Sequence, residues 1–280
     1  MNPFIYDNFR DFAASLPALP GAVRWTTGPL AEIIIDAPAT RNALHPGMMV
    51  AFADAVEAVA GARVVLLRGQ GGAFCSGGDL GAVRDHLTRP GAGAGLARFM
   101  HRATEPLAGL DAVVIAAVTG PALGGGAELL SACDVVIASR DARVGWVQVR
   151  LGVSPGFGGG TRLVTRLGPR AALNILTDAR TYSAEEARTL GLVDELADDP
   201  VARANERAHA LLALPEAALR GVVATVRAAS HLPREAALEA ERALFDGLWG
   251  GPAHLSALGT SPVGRPPAPP PRRGGRRGKA

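Results

Sequence analysis

Pro121-Ala-Leu-Gly-Gly-Gly-Ala-Glu-Leu-Leu-Ser-Ala-Cys-Asp134 follows an apolar run, Ala112 to Val118, whose length and composition predict a buried strand. Three consecutive glycines, Gly124 to Gly126, then let the backbone come close to a ligand. Glu128, Leu129, Leu130 and Ala132 follow in a short helical pattern. A strand ends, a glycine turn presents amides, and a helix starts with its first N–H groups free. That arrangement suits an anion or a developing oxyanion. With Glu128 within one turn, the stretch carries an oxyanion donor beside an acid or base, the minimal kit for chemistry on a thioester or other carbonyl. Two plainer readings fit as well: a phosphate-binding glycine turn, or a tight packing turn between strand and helix.

Outward from this stretch, two further glycine-rich turns follow strands. Arg63–Arg68 predicts a buried strand, and Gln70-Gly-Gly-Ala-Phe-Cys-Ser-Gly-Gly-Asp-Leu80 the turn and the start of a helix carrying Leu80 and Val83. Arg143–Val149 reads as extended, and Gly152-Val-Ser-Pro-Gly-Phe-Gly-Gly-Gly160 as the third turn. Two such turns can aim amides from different segments, Gly78 and Gly125, at one oxygen, a two-donor oxyanion hole. Asp79 reads as a helix cap. Cys75 and Cys133 read as structural, since no histidine is visibly paired with either.

Before the first turn, Val23–Trp25 and Leu30–Asp36 predict a hairpin around Gly28-Pro29. Pro46 opens a helix to about Ala60 with Met49, Phe52, Val56 and Val59 on one face. Residues 1–20 carry Ile5, Phe9, Phe12 and Leu16 at helical spacing, a helical extension packed on the body. Helices are expected over Leu96–Leu110, Thr161–Leu167, Pro169–Leu176, Ser183–Leu190, Val201–Leu214, Glu216–Ala229 and Pro233–Leu248. Ser183 and Glu186 form a capping box, and Trp249 packs at the end of the last helix. Strands alternate with helices through the first two-thirds and helices alone close the chain, an α/β layer with a helical C-terminal part. The expected divisions are 1–20, a core over 21–195, a helical region over 196–259 and a Pro/Arg-rich tail over 260–280, whose composition cannot build a core.

Composition removes several function classes. The chain of 280 residues is 48% hydrophobic and 20% charged, globular values. Its net charge of +3 sits in the tail, which holds six basic residues and no acids; the body carries 23 basic against 26 acidic residues and shows no nucleic-acid footprint. Only the tail would support RNA contact. Lys279 is the sole lysine, so phosphate contacts in the body fall to arginine or to amides. Two cysteines make no disulfide framework, and the histidines lack metal-ligand spacing. No apolar run reaches the 18 or so residues of a membrane span. Asp7 and Asp11 and the lack of a basic n-region speak against a signal peptide, so a cytoplasmic location is expected.

Phe74-Cys-Ser-Gly-Gly-Asp-Leu80, together with Ala122-Leu-Gly-Gly-Gly-Ala-Glu128 and Asp134, resembles the enoyl-CoA hydratase/isomerase (crotonase) superfamily. Arg41-Asn-Ala-Leu44 and Gly152-Val-Ser-Pro-Gly156 match in order and spacing, and the resemblance covers roughly residues 23–258. It implies a spiral of stacked ββα repeats with a helical C-terminal region that builds a homotrimer or a dimer of trimers. It implies an acyl-CoA substrate, no separate cofactor, and a place in fatty acid metabolism. The thioester oxygen would be held by the amides of Gly78 and Gly125, with Glu128 as the catalytic carboxylate. Arg41 would lie near the CoA phosphates, the loop Ala73–Leu80 would wrap the adenine, and Ala43, Cys75, Gly77, Asp79, Gly124, Pro155 and Gly156 would complete the binding surface.

The chain departs from the hydratase pattern at one place. Hydratases of the family resemble each other in having two catalytic glutamates, and the second position is Gln148 here. Glutamine cannot take the proton that activates water. Asp141 and Glu185, the nearest carboxylates in sequence, stand at the wrong places. Glu241-Arg-Ala-Leu-Phe-Asp-Gly-Leu-Trp-Gly-Gly-Pro-Ala-His254, Ser76-Gly-Gly-Asp-Leu80 and Gly158-Gly-Gly-Thr-Arg-Leu-Val164 are similar to the ethylmalonyl-CoA decarboxylase branch. The resemblance thus implies a decarboxylating acyl-CoA lyase acting on a 2-carboxyacyl-CoA such as ethylmalonyl- or methylmalonyl-CoA. Hydration or isomerisation of an enoyl-CoA is the second reading. A catalytically silent acyl-CoA- or RNA-binding protein is the reading outside enzymes.

Overall fold

Val64–Gly69 (β3), Val113–Val118 (β4) and Val135–Ala138 (β6) are near-continuous runs of apolar, mostly β-branched residues, and nearly every position is buried. Such runs suit parallel strands covered on both faces. The computed structural model, which describes residues 9–260, has them at the centre of a six-stranded sheet of order β1-β2-β3-β4-β6-β9. Ala22–Thr26 (β1) pairs antiparallel with Leu30–Asp36 (β2), the expected hairpin; all other pairs in this sheet are parallel, with Glu195–Leu196 (β9) at the far edge. A smaller sheet joins Pro121–Leu123 (β5), Arg143–Gly145 (β7) and Tyr182–Ser183 (β8). This is the α/β spiral that the resemblance implied.

Side chains alternate across the strands and divide between two cores. Val65 and Leu67 face the larger cluster, with Met49 and Phe52 of the helix Pro46–Ala58 (α2), Met100 and Leu107 of Ala92–Ala108 (α4), and Phe9 of the short helix Phe9–Ala14 (α1). Val64, Leu66, Ile115 and Ile137 face the other side, where Ala204 and Ala208 of Pro200–Leu212 (α9) cover them. Fully burying a leucine or isoleucine contributes about 1.5–3 kcal/mol. The helical region read from residue 196 onward therefore begins with a helix that belongs to the sheet core. Beyond it, Glu216–His231 (α10) packs on Arg234–Leu248 (α11).

The remaining helices are Leu80–His86 (α3), Gly125–Leu130 (α5), Gly159–Leu167 (α6), Pro169–Asp178 (α7), Ala184–Thr189 (α8) and Pro252–Thr260 (α12). The capping box of Ser183 and Glu186 forms as read, and all three glycine turns lead into helices, the third through Gly158 into α6. Three expectations need correction. The extended segment Arg143–Val149 keeps strand pairing only to Gly145 and then tightens into a 3-10 turn, Gln148–Leu151. Trp249 ends α11 but is 64% exposed, in tilted ring contacts with Phe245 and His254 rather than packed into the body. It does not follow the last helix either, since α12 comes after it. Ile5 and the tail beyond Thr260 lie outside the described residues.

Candidate active site

The turns after β2, β3 and β4 all leave the C-terminal edge of the parallel sheet, where open α/β sheets bind ligands. Asn42, fully buried, staples the first two. Its Oδ1 accepts the Ala37 N–H at 2.7 Å, and its Nδ2 donates to the carbonyls of Gln70 (3.0 Å) and Ala73 (2.7 Å). Two parallel bridges, Leu44 with Gly78 and Cys75 with Ala122, then lay the Gly77–Gly78 turn beside the glycine triplet. Gly77 takes φ 98°, and a Cβ there would stand 3.0 Å from the Gly125 nitrogen. Only glycine suits that approach. At Gly126 a Cβ would fall 2.0 Å from the Cys75 carbonyl oxygen.

These segments line a cleft of about 970 Å³. Eleven of the residues singled out from the sequence reach it: Arg41, Ala43, Gly77, Gly78, Asp79, Leu80, Gly124, Gly125, Glu128, Gln148 and Gly156. Among the described residues, the N–H groups of Gly78 and Gly125 have no acceptor in the fold. Ala73, Cys75 and Pro155 are not in the lining. Ala73 is buried and spends its carbonyl on Asn42. Cys75 is pinned into the bridge to Ala122, its Sγ accepts the Gly77 N–H, and burial pushes its thiol up to about 12. Cys133 is likewise pushed up to about 12 by burial, so neither thiol is a nucleophile. Asp79 caps α3, its Oδ1 accepting the Ala82 N–H at 2.9 Å. Asp134 is remote from the cleft; it accepts the Val114 N–H and grips Arg227 through two contacts.

Glu128 is 1% exposed, and its carboxylate accepts four N–H groups. Oε1 takes Gln148 Nε2 at 2.8 Å and Gly156 N at 3.1 Å; Oε2 takes Phe157 N at 2.8 Å and Gly159 N at 2.9 Å. A ring of four donors is built for a carboxylate. Gln148 lies in the place expected for a second carboxylate, but its amide reaches Glu128 as a donor, and its Oε1 is buried without a partner. Behind Glu128, Arg162 of α6 donates to the carbonyls of Phe157 (2.7 Å) and Glu128 (3.4 Å) and to Ser131 Oγ (3.2 Å), and pairs with Glu105.

Sequence reading missed three residues. Phe157 and Arg150 line the cleft, and Arg162 holds its wall. An aromatic among the glycines of 156–160 was the one available signal for Phe157. Arg150 carries none, and Arg162 only its place in the stretch 158–164, because its partners Glu105, Glu128 and Ser131 come from distant parts of the chain. Among the described residues no group of three or more His, Cys, Asp or Glu side chains is placed to hold a metal.

The sequence profile of the enoyl-CoA hydratase/isomerase family matches residues 26–249. The ethylmalonyl-CoA decarboxylase of Danio rerio is 35% identical over 238 residues, 82% of this chain and 78% of its own. The Homo sapiens ethylmalonyl-CoA decarboxylase is 31% identical over 234 residues, 81% and 76%. Among solved structures, an enoyl-CoA hydratase from Bacillus anthracis superposes with TM-score 0.78 at 26% identity, covering 86% of this chain and 95% of its own. One from Thermoplasma volcanium gives 0.77 at 27%, covering 84% and 95%.

Proposed function

Because this chain belongs to the enoyl-CoA hydratase/isomerase family, we propose that it is a lyase that removes CO₂ from a 2-carboxyacyl-CoA thioester, with ethylmalonyl- and methylmalonyl-CoA as the substrates to try first. The observation that carries the reading is the Gln148–Glu128 hydrogen bond. Hydration through two carboxylates needs a second base to activate water, and an amide that donates its N–H to the first carboxylate cannot be that base. Decarboxylation needs no such base. It needs the thioester oxygen held while the C–C bond breaks, a surrounding that does not favour the substrate carboxylate, and a proton for C2 afterwards.

The free N–H groups of Gly78 and Gly125 suit the first need: two donors aimed at an oxygen whose charge grows as the enolate forms. The second is supported by how the donors are spent. The amides of Gly156, Phe157 and Gly159 and the Nε2 of Gln148 all go to Glu128, so this wall offers a substrate carboxylate an anion and an unpartnered carbonyl oxygen. Neutral CO₂ is not penalised there, and its departure is favoured. The electron pair of the broken bond passes to C2 and the thioester oxygen, and water protonates C2. Glu128 keeps its four donors and acts as the charge that organises the wall. Arg41 and Arg150, at the cleft, suit the phosphates of coenzyme A, which enters as part of the substrate. Asp79, Leu80, Ala43 and Gly77 belong to the same binding surface, with Ala73, Cys75 and Pro155 supporting it from behind.

The same reading includes a homotrimer or a dimer of trimers, supported by exposed apolar side chains on α10 and α11, and a cytoplasmic setting, which suits two free thiols. Incubation with a panel of malonyl-type and enoyl-CoA thioesters, read by mass, tests the reaction. Release of CO₂ should exceed hydration of crotonyl-CoA at least tenfold, and in D₂O the product should gain one deuterium at C2. Brisk hydration with no CO₂ from either malonyl-type thioester would restore the hydratase.

A further inference from the structure

We propose that Phe157 sets the size of the C2 substituent that the enzyme accepts, an inference that rests on the reading of the cleft given above. Its ring lies directly on Gly125. A Cβ built on that glycine would fall 2.4 Å from Cε2, 2.9 Å from Cδ2 and 3.0 Å from Cζ of the ring. Gly125 supplies one of the two amides assigned to the thioester oxygen. With that oxygen about 2.9 Å from the amide nitrogen, the carbonyl carbon and C2 are the next two atoms of the acyl group. Whatever C2 carries is therefore built out close to the ring, and both ring and glycine line the same cleft.

The ring cannot retreat with its loop. The Phe157 N–H donates to Glu128 Oε2 at 2.8 Å, and its carbonyl accepts Thr104 Oγ1 at 2.8 Å and Arg162 Nη2 at 2.7 Å. The flanking amides of Gly156 and Gly159 end on the same carboxylate. The side chain is only 6% exposed and is part of the main core. A small alkyl group at C2 fits against this fixed face and the apolar side chains of Met49, Val83 and Leu96 that share the cleft; a longer one meets the ring. The substrate class is thus a 2-alkylmalonyl-CoA with a methyl or ethyl branch.

The test compares the wild type with Phe157→Ala, Phe157→Leu and Phe157→Trp on methyl-, ethyl- and butylmalonyl-CoA, and measures the affinity of each protein for butyryl- and hexanoyl-CoA, the saturated products. One methylene in an apolar pocket is worth roughly 10–200-fold in discrimination. The ratio of kcat/KM for butyl- over ethylmalonyl-CoA should rise at least tenfold in Phe157→Ala, rise less in Phe157→Leu, and fall in Phe157→Trp. The ratio of hexanoyl- to butyryl-CoA affinity should move the same way. A proportional loss across the series, with ratios unchanged in every folded variant, would overturn the assignment. If the wild type releases no CO₂ from any thioester, the decarboxylase reading falls, while the affinity ratios still decide the role of Phe157.

Discussion

Glu128 is one residue of a short helix, and its worth lies in four bonds that no local pattern encodes. The glycine turn, the helix and the acid are legible because they are neighbours in sequence. The donors come from 20 to 31 residues downstream. In Glu128→Gln the new NH₂ must face either Gln148 Nε2 and Gly156 N or Phe157 N and Gly159 N, donor against donor in both cases. Two buried donors left unpaired cost about 1–3 kcal/mol each. At roughly 2–4 °C per kcal/mol for a domain approaching this size, the melting temperature should fall by at least about 4 °C. Turnover should fall about a hundredfold or more, the scale of a lost preorganised electrostatic group. Calorimetry and steady-state kinetics on one preparation check both. Lost turnover with an unchanged melting temperature would instead make Glu128 a proton donor independent of the loop.

Elements were read well where their ends are marked locally. Pro46 does open α2, Asp79 caps α3, and Ser183 with Glu186 closes a capping box. The extended reading of 143–149 failed past Gly145 because a tertiary contact decides it: Gln148 turns inward to reach Glu128, and Gly152 ends that turn at φ 73°. The cap of α2 carries a pH dependence. His45 Nδ1 accepts the Met48 N–H at 3.4 Å, which requires an unprotonated nitrogen. Burial lowers the pKa of His45 below its ordinary 6.5, partly offset by Asp79. The unfolded chain therefore takes up the proton more readily than the folded one. The stabilisation is complete above the unfolded value and is lost as pH falls through 6.5 towards the folded pKa. Urea midpoints should drop between pH 7.5 and pH 5.5. His45→Asn, which keeps a capping oxygen and does not titrate, should reduce that drop. Equal drops in the two proteins would show that His45 does not contribute.

At the scale of the molecule, a cluster of apolar side chains stays in water on the C-terminal helices. Val222 is 63% exposed, Phe245 62% and Trp249 64%, on or next to α10 and α11. Such a surface suits burial against further copies of the chain. Sedimentation equilibrium should give the mass of a trimer or hexamer, and Val222→Asp combined with Phe245→Asp should shift it to the monomer; a wild type that sediments as a monomer at micromolar concentration would remove the assembly from the reading. The sequence by itself determined the alternation of strands and helices, the buried parallel strands and the three glycine turns, because apolar period, glycine and capping residues act over a few neighbours. It also singled out Gly78, Gly125 and Glu128, which stand in or just after the glycine turns. Only the tertiary structure decided what those residues face. The saturation of Glu128, the donor role of Gln148, the Arg162 clamp and the seating of Phe157 on Gly125 join segments far apart in the chain. Their geometry is set by how the sheet and helices pack, and no local interaction in the sequence encodes it.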